Sequence, residues 1–502
     1  MHVRSLPAFP DLGSFLRHLD AAGELVRVTA GVNLHLEVAE VHRRVIANGG
    51  PVLWFDRPIR SARPCRWPLV TNLFGTRERV AAGLGTNAAG LAGLGELLAF
   101  LRSPQPPGSL SEMRRLLPVA RAGLRARHRI VRDTAPTVDV SPDLSALPVQ
   151  TCWPGDAGPL ITWPVVVTRP PGIDDPSAYN LGVYRMQVLE RDRAIVRWLP
   201  MRGGARHHRE WVRAGAEMPV AVVIGADPAT MLAAVMPAPD GVTELALAGL
   251  IGGRRSDLIP CLSIPLHVPA SAEIVLEGMV SPTETAMEGP FGDHTGYYNA
   301  AEPFPVFRLT HIRMRQDPVY VSTFTGRAPD EPSVIGDAML DVFKPLLLQQ
   351  LPEILDIWLP PEACSYRIAV LAIDKRYPGH ARRVMMGFWS LLPQFTMTKL
   401  LIVVDGDVDV RSWNDVMWAV ATRMDPSRDL ITVDRTPIDT LDFASPLPGL
   451  GGKLGIDATR KIGSETTRDW AAGVSSDPSV ARQVEDRWGE IFLSGFGRRT
   501  TS

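Results

Sequence analysis

The sequence is poor in cysteine and has no cysteine pair at metal-ligand spacing. Its 502 residues include four cysteines, which are far apart and form no CxxC motif. This distribution argues against a disulfide framework and against a cysteine zinc site. We therefore expect a protein of a reducing compartment, the cytoplasm.

An excess of charge of one sign is also lacking. The 53 basic and 54 acidic residues leave a net charge of -1, which provides no broad attraction for nucleic acid. A local basic pocket for a small anion stays open. The N-terminal segment lacks the apolar core of a secretory signal, and the most apolar stretch, residues 218–239, is interrupted by Asp227 and prolines. We expect no membrane insertion, and leave peripheral contact with the cytoplasmic face of a membrane open.

Common phosphate and metal motifs are missing as well. In GLGGKLG, residues 449–455, Leu454 follows Lys453 where a phosphate loop requires Ser or Thr, although Lys453 could still reach an anion from a flexible setting. There is no HExxH motif. His207 and His208 are adjacent and would point in different directions, so we expect them to face solvent. His311 lies in a strand-like segment and is expected to be buried.

Hydrophobic periodicity divides the chain into three parts. The first hundred residues alternate helical and extended patterns, which is typical of a small α/β unit. Residues 161–324 give repeated strand patterns with few helices between them, which favours a barrel or folded sheet. Alternation returns after residues 329–332. We predict an N-terminal α/β domain (1–125), a central β domain (126–328) and a C-terminal α/β domain (329–502), with a basic helix at 113–129 and a polar, peripheral tail after Gly463.

The segment EGPFGDHTGYYN, residues 288–299, is the strongest candidate for chemistry. Its glycines permit tight backbone turns and a close approach to a planar ligand. Glu288 and Asp293 are candidates for proton transfer, because neighbouring acids tend to acquire separated pKa values. The alternative, a calcium-type or structural turn, lacks alternating Asp and Asn ligands. We assign Tyr297 and Tyr298 to packing.

A second polar cluster interrupts the apolar pattern of SAYNLGVYRMQV, residues 177–188. Asn180, Tyr184 and Gln187 cannot all lie on one face of a regular strand, so either part of the cluster points outward or a bulge intervenes. Arg185 could bind a carboxylate through two hydrogen bonds or form a surface salt bridge. The residues alone leave both alternatives open.

Several segments together resemble a known family. They include NLGVYRMQV, IVRWLPMRGGA, GADPAT, EGPFGDHTGYYN, TGRAPDEPSVIG, GHARRVMMG and LGIDATRK, and they run in order from the centre of the chain towards its end. In these segments the chain is similar to the UbiD family of prenylated-FMN-dependent decarboxylases, most of all to the bacterial branch that acts on 4-hydroxy-3-polyprenylbenzoate. The resemblance implies a mixed α/β and β (α+β) fold, with a central split β-barrel like that of flavin reductases between two α/β domains.

The resemblance also implies roles for individual residues. Arg185, Glu288 and Asp293 match the catalytic arginine and acids, and Asp293 is expected to donate a proton from a carboxyl whose pKa is raised by burial. Asn180 and Glu244 match ligands of Mn²⁺ or Mg²⁺, beside which a K⁺ ion is left open. Many relatives have a metal-binding histidine where this chain reads MRGG, residues 201–204, so water, a carbonyl, His207 or His208 would have to replace it. The residues expected to bind prenylated FMN are Val183, Tyr184, Arg185, Arg197, Trp198, Leu199, Arg202, Gly203 and Lys453.

The function implied by the resemblance is non-oxidative decarboxylation of 4-hydroxy-3-polyprenylbenzoate to 2-polyprenylphenol in ubiquinone biosynthesis. Side chains cannot delocalise the electron pair left on an aromatic ring, so a cofactor must do so. One alternative is another aromatic or heteroaromatic acid as substrate. Another, a flavin-binding protein without activity, fits poorly with the presence of all three catalytic matches. The implied partners are a flavin prenyltransferase that supplies the cofactor and further copies of the chain, in a dimer or hexamer.

Overall fold

The computed structural model describes residues 4–102, 123–132, 137–236, 242–392 and 394–491. Most of the basic helix predicted at 113–129, and much of the region around the first domain boundary, lie outside these ranges. Within them the predicted combination of α/β units with a curled central sheet is confirmed. The two domain boundaries themselves stay a prediction.

The N-terminal unit forms where its apolar periodicity predicts. Helix α1 begins after Asp11, whose carboxylate accepts a hydrogen bond from the backbone N–H of Ser14 and so satisfies one of the free donors of the first turn. Its apolar side chains, including Leu12 and Phe15, are buried in the core. The elements are α1 (Leu12–Ala21), β1 (Leu25–Val28), β2 (Val32–Asn33), α2 (Glu37–Ile46), β3 (Val52–Phe55), β4 (Pro58–Arg60), β5 (Arg63–Pro64), β6 (Leu69–Thr71), α3 (Arg77–Gly83) and α4 (Leu91–Arg102).

The central unit is built on a nine-stranded sheet in the order β11-β10-β14-β17-β18-β13-β12-β9, with β8 paired to β18. Its strand pairs are antiparallel. The strands of this region are β7 (Arg129–Ile130), β8 (Thr137–Val140), β9 (Leu160–Ile161), β10 (Pro164–Thr168), β11 (Asn180–Val183), β12 (Met186–Val188), β13 (Arg193–Val196), β14 (Met218–Ile224), β15 (Asp257–Pro260), β16 (His267–Pro269), β17 (Ile274–Glu288), β18 (Glu302–Arg315) and β19 (Tyr320–Val321). Of these, β7, β15 and β16 form a separate three-stranded sheet in which β7 and β15 are parallel. The long pair β17 and β18 shifts register twice, after Glu277 and after Val280, and such shifts increase local twist and bend. The sheet therefore curls into a half-barrel.

The sequence analysis expected few helices in this region but located none of them. Its described residues contain three α-helices: α5 (Gly203–Ala214), α6 (Pro228–Ala233) and α7 (Glu244–Gly252). Helices α6 and α7 are almost entirely buried, so they lack the amphipathic pattern by which a surface helix is recognised. In addition, β19 does not join the central sheet. It pairs with β6 of the N-terminal unit. The sequence did not reveal this pairing, because a strand pattern does not identify the partner of the strand.

The C-terminal unit has a five-stranded sheet in the order β20-β21-β22-β24-β23, and the pairs β21–β22 and β22–β24 are parallel. Its elements are α8 (Glu331–Gln350), β20 (Ile354–Trp358), β21 (Ile368–Ile373), α9 (His380–Leu391), β22 (Leu400–Asp405), α10 (Trp413–Arg423), β23 (Leu430–Pro437), β24 (Leu450–Ala458), α11 (Pro478–Asp486) and α12 (Trp488–Ile491). Two apolar clusters cover the two faces of this sheet. Residues 467–489 are exposed, as expected of a peripheral tail.

No single helix in the described ranges is long and apolar enough to cross a membrane. Helix α3 and residues 88–102 have the length and composition of a membrane span only when they are taken together, and the angle between them is 62°.

A buried polar contact joins the N-terminal unit to the start of α8. Glu331 Oε1 accepts a hydrogen bond of 2.7 Å from the backbone N–H of Phe74, and Glu331 Oε2 lies 3.6 Å from His42 Nε2. Both side chains are completely buried. Burial raises the pKa of Glu331 to about 7 and lowers the pKa of His42 to about 3. The contact is therefore mainly between uncharged groups in weakly acidic solution.

We expect the Glu331→Gln variant to lose part of the pH dependence of stability. A carboxyl whose pKa is raised in the folded state stabilises the fold fully below its ordinary pKa near 4.5, and this stabilisation is lost as the pH rises through about 7. The melting temperature of the wild type should thus fall relative to that of the variant between pH 5 and 8, by the equivalent of about 2 kcal/mol. Thermal unfolding across this range checks it. The exposed-site control Glu485→Gln should run parallel to wild type, and parallel curves for Glu331→Gln would contradict the prediction.

Candidate active site

Arg185 lies at the break between β11 and β12, and its guanidinium binds two acids. Its Nε donates to Glu288 Oε1 at 2.8 Å and its Nη2 to Glu288 Oε2 at 3.2 Å, which is a bidentate pair. Its Nη1 donates to Asp293 Oδ2 at 3.0 Å. Because the strand is interrupted here, Tyr184 and Gln187 need not alternate between faces as they would on one regular strand. The three residues predicted to be catalytic are therefore in direct contact.

Glu288 is the most deeply buried member of this group. It is the last residue of β17 rather than a loop residue, because the alternating pattern continues through residues 281–288. Its carboxylate is fully inaccessible to solvent, and it accepts a second charged hydrogen bond of 2.6 Å from Arg197 Nη1. Two arginines thus compensate the cost of burying one carboxylate. Arg197 was predicted to line the cofactor, and the structure adds this contact to that expectation.

Side chains of Asn299 and Asp156 hold the backbone of the loop that follows Glu288. Asn299 Oδ1 accepts from the backbone N–H of Phe291 at 3.1 Å and from Arg185 Nη2 at 2.7 Å. Asp156 Oδ1 accepts from the backbone N–H of Gly292 at 2.9 Å. A Cβ atom on Gly292 would lie 2.2 Å from Trp153 Cδ1, so only glycine permits this close approach. The loop is therefore a rigid support for Asp293. Sequence reasoning did not assign Asn299 or Asp156 a role.

Asp293 has a pKa shift opposite to the one expected from the sequence. Burial raises its pKa, as predicted, but hydrogen bonds from His294 and the charge of Arg185 outweigh burial and lower the pKa to about 2. Both the backbone N–H and Nδ1 of His294 lie within hydrogen-bonding distance of Asp293 Oδ1, at 2.8 and 2.7 Å. Asp293 is thus a carboxylate at neutral pH. The sequence analysis gave the neighbouring histidine no role, and its contact with the acid was not predicted.

The C-terminal unit borders the same loop. Asp439 Oδ2 lies 4.0 Å from His294 Nε2 and 3.3 Å from Arg367 Nη2. The rings of Tyr297 and Phe443 meet edge to face with centroids 6.0 Å apart. These contacts place residues 439–443 beside the loop that carries Asp293. Their position could not be predicted, because nothing in the sequence relates them to residues 293–297.

The tyrosines have the packing roles assigned to them. Tyr297 makes the ring contact with the C-terminal unit, and the hydroxyl of Tyr298 accepts a hydrogen bond of 2.9 Å from the backbone N–H of Gly155.

Two of the residues predicted to line a flavin, Tyr184 and Trp198, pack against the first turn of α5. The hydroxyl of Tyr184 accepts from the backbone N–H of Gly204 at 3.2 Å and from Asn180 Nδ2 at 3.2 Å. Trp198 is buried and its Nε1 has no hydrogen-bond partner. The side chain of Arg202 does not cap helix α5, and the N–H of Gly204 is already bonded to Tyr184. An anion could therefore be received only by the other N–H groups of the first turn. Val183 is half-buried, and Leu199 is exposed.

Asn180 and Glu244, the predicted metal ligands, belong to adjoining elements. Glu244 begins α7, and its Oε2 accepts a hydrogen bond of 3.3 Å from the backbone N–H of Leu181. Burial raises the pKa of Glu244. A Cβ atom on Gly203 would lie 1.8 Å from Asn180 Oδ1, so the Asn180 amide rests directly against the start of α5. The described residues contain no group of three His, Cys, Asp or Glu side chains arranged to hold a metal.

The histidines and Lys453 differ from expectation. His207 is buried, and its Nδ1 lies 3.0 Å from Thr168 Oγ1, because it occupies the inner face of α5 instead of facing solvent. His208 is half-buried and its Nε2 has no hydrogen-bond partner, whereas His311 is partly exposed beside Asp139. Lys453 is on β24 and not in a flexible loop. Its Nζ donates to the carbonyl of Thr398 at 3.0 Å, and burial lowers its pKa to about 8. Its phosphate role stays a prediction.

Three family models match the chain. They are described as the N-terminal domain, the Rift-related domain and the C-terminal domain of 3-octaprenyl-4-hydroxybenzoate carboxy-lyase, and they match residues 16–98, 129–328 and 333–458.

Solved structures give the same result. The UbiD-class enzyme HmfF from Pelotomaculum thermopropionicum, in complex with FMN, is 29% identical with a TM-score of 0.76, over 94% of this chain and 98% of that one. Vanillic acid decarboxylase from Sedimentibacter hydroxybenzoicus is 25% identical with a TM-score of 0.77, over 96% and 99%. The 3,4-dihydroxybenzoic acid decarboxylase from Enterobacter cloacae, 21% identical with a TM-score of 0.74 over 97% and 100%, shares the fold. With the three domain models matched in order along its length, the chain belongs to the UbiD family of carboxy-lyases.

Proposed function

We propose that the protein removes CO₂ from an aromatic carboxylic acid, with prenylated FMN as the electron sink. The observation that carries this proposal is the contact of Arg185 with both Glu288 and Asp293 in one buried group. Arginines elsewhere in the chain also bind two acids, as Arg77 does with Asp337 and Asp341. The group at Arg185 differs in that Glu288 is fully buried and that Arg185 also orients Asp293, a carboxylate that can exchange a proton with a substrate.

The residues present fit the cofactor. A flavin phosphate would find the exposed Arg202 and those N–H groups in the first turn of α5 that Tyr184 does not bind, and the Nε1 of Trp198, which has no partner in the protein, offers a further hydrogen bond. Asn180 and Glu244 provide oxygen ligands suited to Mn²⁺ or Mg²⁺, with water or a carbonyl completing the set. Neither ion, nor K⁺, is required by the geometry. When bound, prenylated FMN would delocalise the electron pair that the departing CO₂ leaves behind.

The chain's own groups bind, orient and move a proton. Glu288 accepts hydrogen bonds from Arg185 and Arg197, so it fixes the position of both guanidinium groups. Arg185 then directs Asp293 Oδ2, while Asp293 Oδ1 remains bonded to His294. After CO₂ leaves, the ring carbon needs one proton. Asp293 is the acid we assign to deliver it.

The substrate we place first is 4-hydroxy-3-polyprenylbenzoate, which would be converted to 2-polyprenylphenol in ubiquinone biosynthesis. The support is the description of the matching family models and the segments that carry the sequence resemblance. A small phenolic acid is the second candidate, favoured by the similarity to vanillic acid decarboxylase. CO₂ release from both classes of acid, by enzyme produced together with a flavin prenyltransferase, distinguishes them. No release from either class would overturn the proposal.

The setting we propose is cytoplasmic, with a flavin prenyltransferase as cofactor supplier and a homo-oligomer as the working form. One relative, HmfF, is known in an evolved dimeric form in complex with prFMN. A polyprenylated substrate would require contact with the membrane surface. The near-neutral net charge gives no reason to expect a nucleic acid partner.

Asp293→Asn should lower kcat for decarboxylation by about 10²–10⁴-fold, because the amide keeps the shape of the side chain but cannot deliver a proton. Flavin content, read from the absorbance spectrum, should stay at the wild-type level. The matched control is Asp434→Asn, an exposed site on β23. CO₂ release at the wild-type rate by Asp293→Asn would remove Asp293 from the mechanism.

Arg185→Ala should reduce kcat/KM by the equivalent of about 3 kcal/mol, because both acids lose the group that orients them. Arg185→Lys should recover little, since a single ammonium cannot reproduce the bidentate pair. The control is Arg193→Ala on the neighbouring β13, whose guanidinium pairs with Glu284 at the surface of the sheet. Near-normal kcat/KM for Arg185→Ala, measured by CO₂ release, would show that the clamp is not needed.

Glu244→Gln should weaken binding of metal and flavin together. Addition of Mn²⁺ and FMN to the cofactor-free wild type should raise its melting temperature, since a ligand that binds only the folded state stabilises it. The variant should show a smaller rise, because a neutral amide is a poorer ligand for a divalent cation. Glu210→Gln on α5 is the control. An equal rise in wild type and Glu244→Gln would exclude Glu244 as a ligand.

A further inference from the structure

Asp293 has hydrogen-bond donors on both of its carboxylate oxygens. Arg185 Nη1 donates to Oδ2 at 3.0 Å, and the backbone N–H and Nδ1 of His294 lie 2.8 and 2.7 Å from Oδ1. An arginine keeps its proton under all ordinary conditions, and so does a backbone amide. Among the described residues that contact Asp293, His294 is therefore the one whose proton can be transferred near neutral pH.

The other ring nitrogen of His294 faces the C-terminal unit. Its Nε2 lies 4.0 Å from Asp439 Oδ2, on the segment between β23 and β24. Asp439 is itself positioned by Arg367 Nη2 at 3.3 Å and by the hydroxyl of Tyr366 at 3.4 Å. A carboxylate on one side of an imidazole fixes the ring and stabilises its protonated form. The two acids flanking the ring come from different units of the fold.

We propose that His294 supplies Asp293 with the proton consumed in each turnover, and that Asp439 of the C-terminal unit positions the His294 ring for this transfer. This inference rests on the proposed decarboxylation. It assigns roles to two residues to which neither the sequence motifs nor the resemblance gave one. His294 acts through Asp293, and Asp439 acts through His294, so His294 supplies the proton, Asp439 positions the ring, and neither contacts the substrate.

The proton moves from His294 through Asp293 to the ring carbon. The Nδ1–H bond of protonated His294 breaks and an O–H bond forms on Asp293 Oδ1. That O–H bond breaks in turn as a C–H bond forms on the ring carbon that has lost CO₂. Neutral His294 then takes a proton from water, for which its partly exposed ring has access. One proton is consumed for each CO₂ released, and nothing is oxidised or reduced.

The charges around His294 favour its protonated form. Burial lowers its pKa, but the hydrogen bond and charge of Asp293, together with the charge of Asp439, outweigh burial and raise the pKa above its ordinary value. The charge of Arg367, in the C-terminal unit, lowers the pKa of His294. The charge of His294 in turn acts to lower the pKa of Asp330, the residue before α8. Because the pKa of Asp293 is held low by the same contact, the shared proton resides on His294 between turnovers.

The pairing itself can be tested without cofactor or substrate. Histidine selectively labelled with ¹³C gives ring signals whose pH titration can be followed by NMR in the cofactor-free full chain, and the signal of His294 is assigned by its loss in His294→Gln. We expect the pKa of His294 to be above that of a free histidine in wild type and to fall in Asp439→Asn. It should stay unchanged in Asp442→Asn, which also removes a partner of Arg367 but has no contact with His294. An unchanged titration in Asp439→Asn would overturn the role of Asp439.

The proton supply is tested by the pH profile of kcat for CO₂ release. His294→Gln should lower kcat by about 10–100-fold with little change in KM, and the alkaline decline that reports deprotonation of His294 should disappear. In Asp439→Asn this decline should move to lower pH, because the protonated form is lost sooner as the pH rises. Wild-type kcat and an unaltered profile in His294→Gln would overturn the proposal. If the wild type decarboxylates no acid, the proposed function fails, and the NMR titration still decides the pairing.

Discussion

The ion group of Arg185 with Glu288 and Asp293 is the constraint on which the rest of the site depends. A fully buried carboxylate is expensive unless charged donors satisfy it, and Glu288 is satisfied by two arginines. Arg185, Arg197 and Glu288 come from three places in the chain, namely the break after β11, the end of β13 and the end of β17. The charges can be compensated only if the central sheet has its native register. The ion group that the chemistry needs therefore forms only when the central sheet has its curled, native form.

The central sheet by itself provides only half of the surroundings of this group. On one side, Tyr184 and Trp198 pack around the first turn of α5, next to hydrogen-bond donors that have no protein partner. On the other side, the segment with Asp439 and Phe443 contacts the loop that holds Asp293. The acid group therefore lies between an apolar side, where Trp198 Nε1 has no hydrogen-bond partner, and a charged side formed by the C-terminal unit. This division suits a reaction in which one partner takes up electrons and another supplies a proton.

Sequence reasoning identified the acids and the arginine, because glycine-rich turns and polar breaks in an apolar strand are local features. It also identified the alternation of helices and strands in the outer units. It failed where the outcome depends on distant contacts. The buried helices α6 and α7 have no polar face to reveal them, and the pKa of Asp293 follows from a hydrogen bond with His294 instead of from burial. The roles of the cofactor-lining residues stay predictions, since only a bound ligand tests them.

Strand β19 has a consequence for how this chain can be divided. It follows every strand of the central sheet in the sequence, yet it completes the sheet of the N-terminal unit by pairing with β6. A fragment that stops near residue 102 would leave one edge of that sheet open, with unsatisfied backbone groups and apolar side chains such as Tyr320 missing from the core. The first unit is therefore not a portable module. Gene fusions and expression fragments should keep it on the same polypeptide as the strand that closes it.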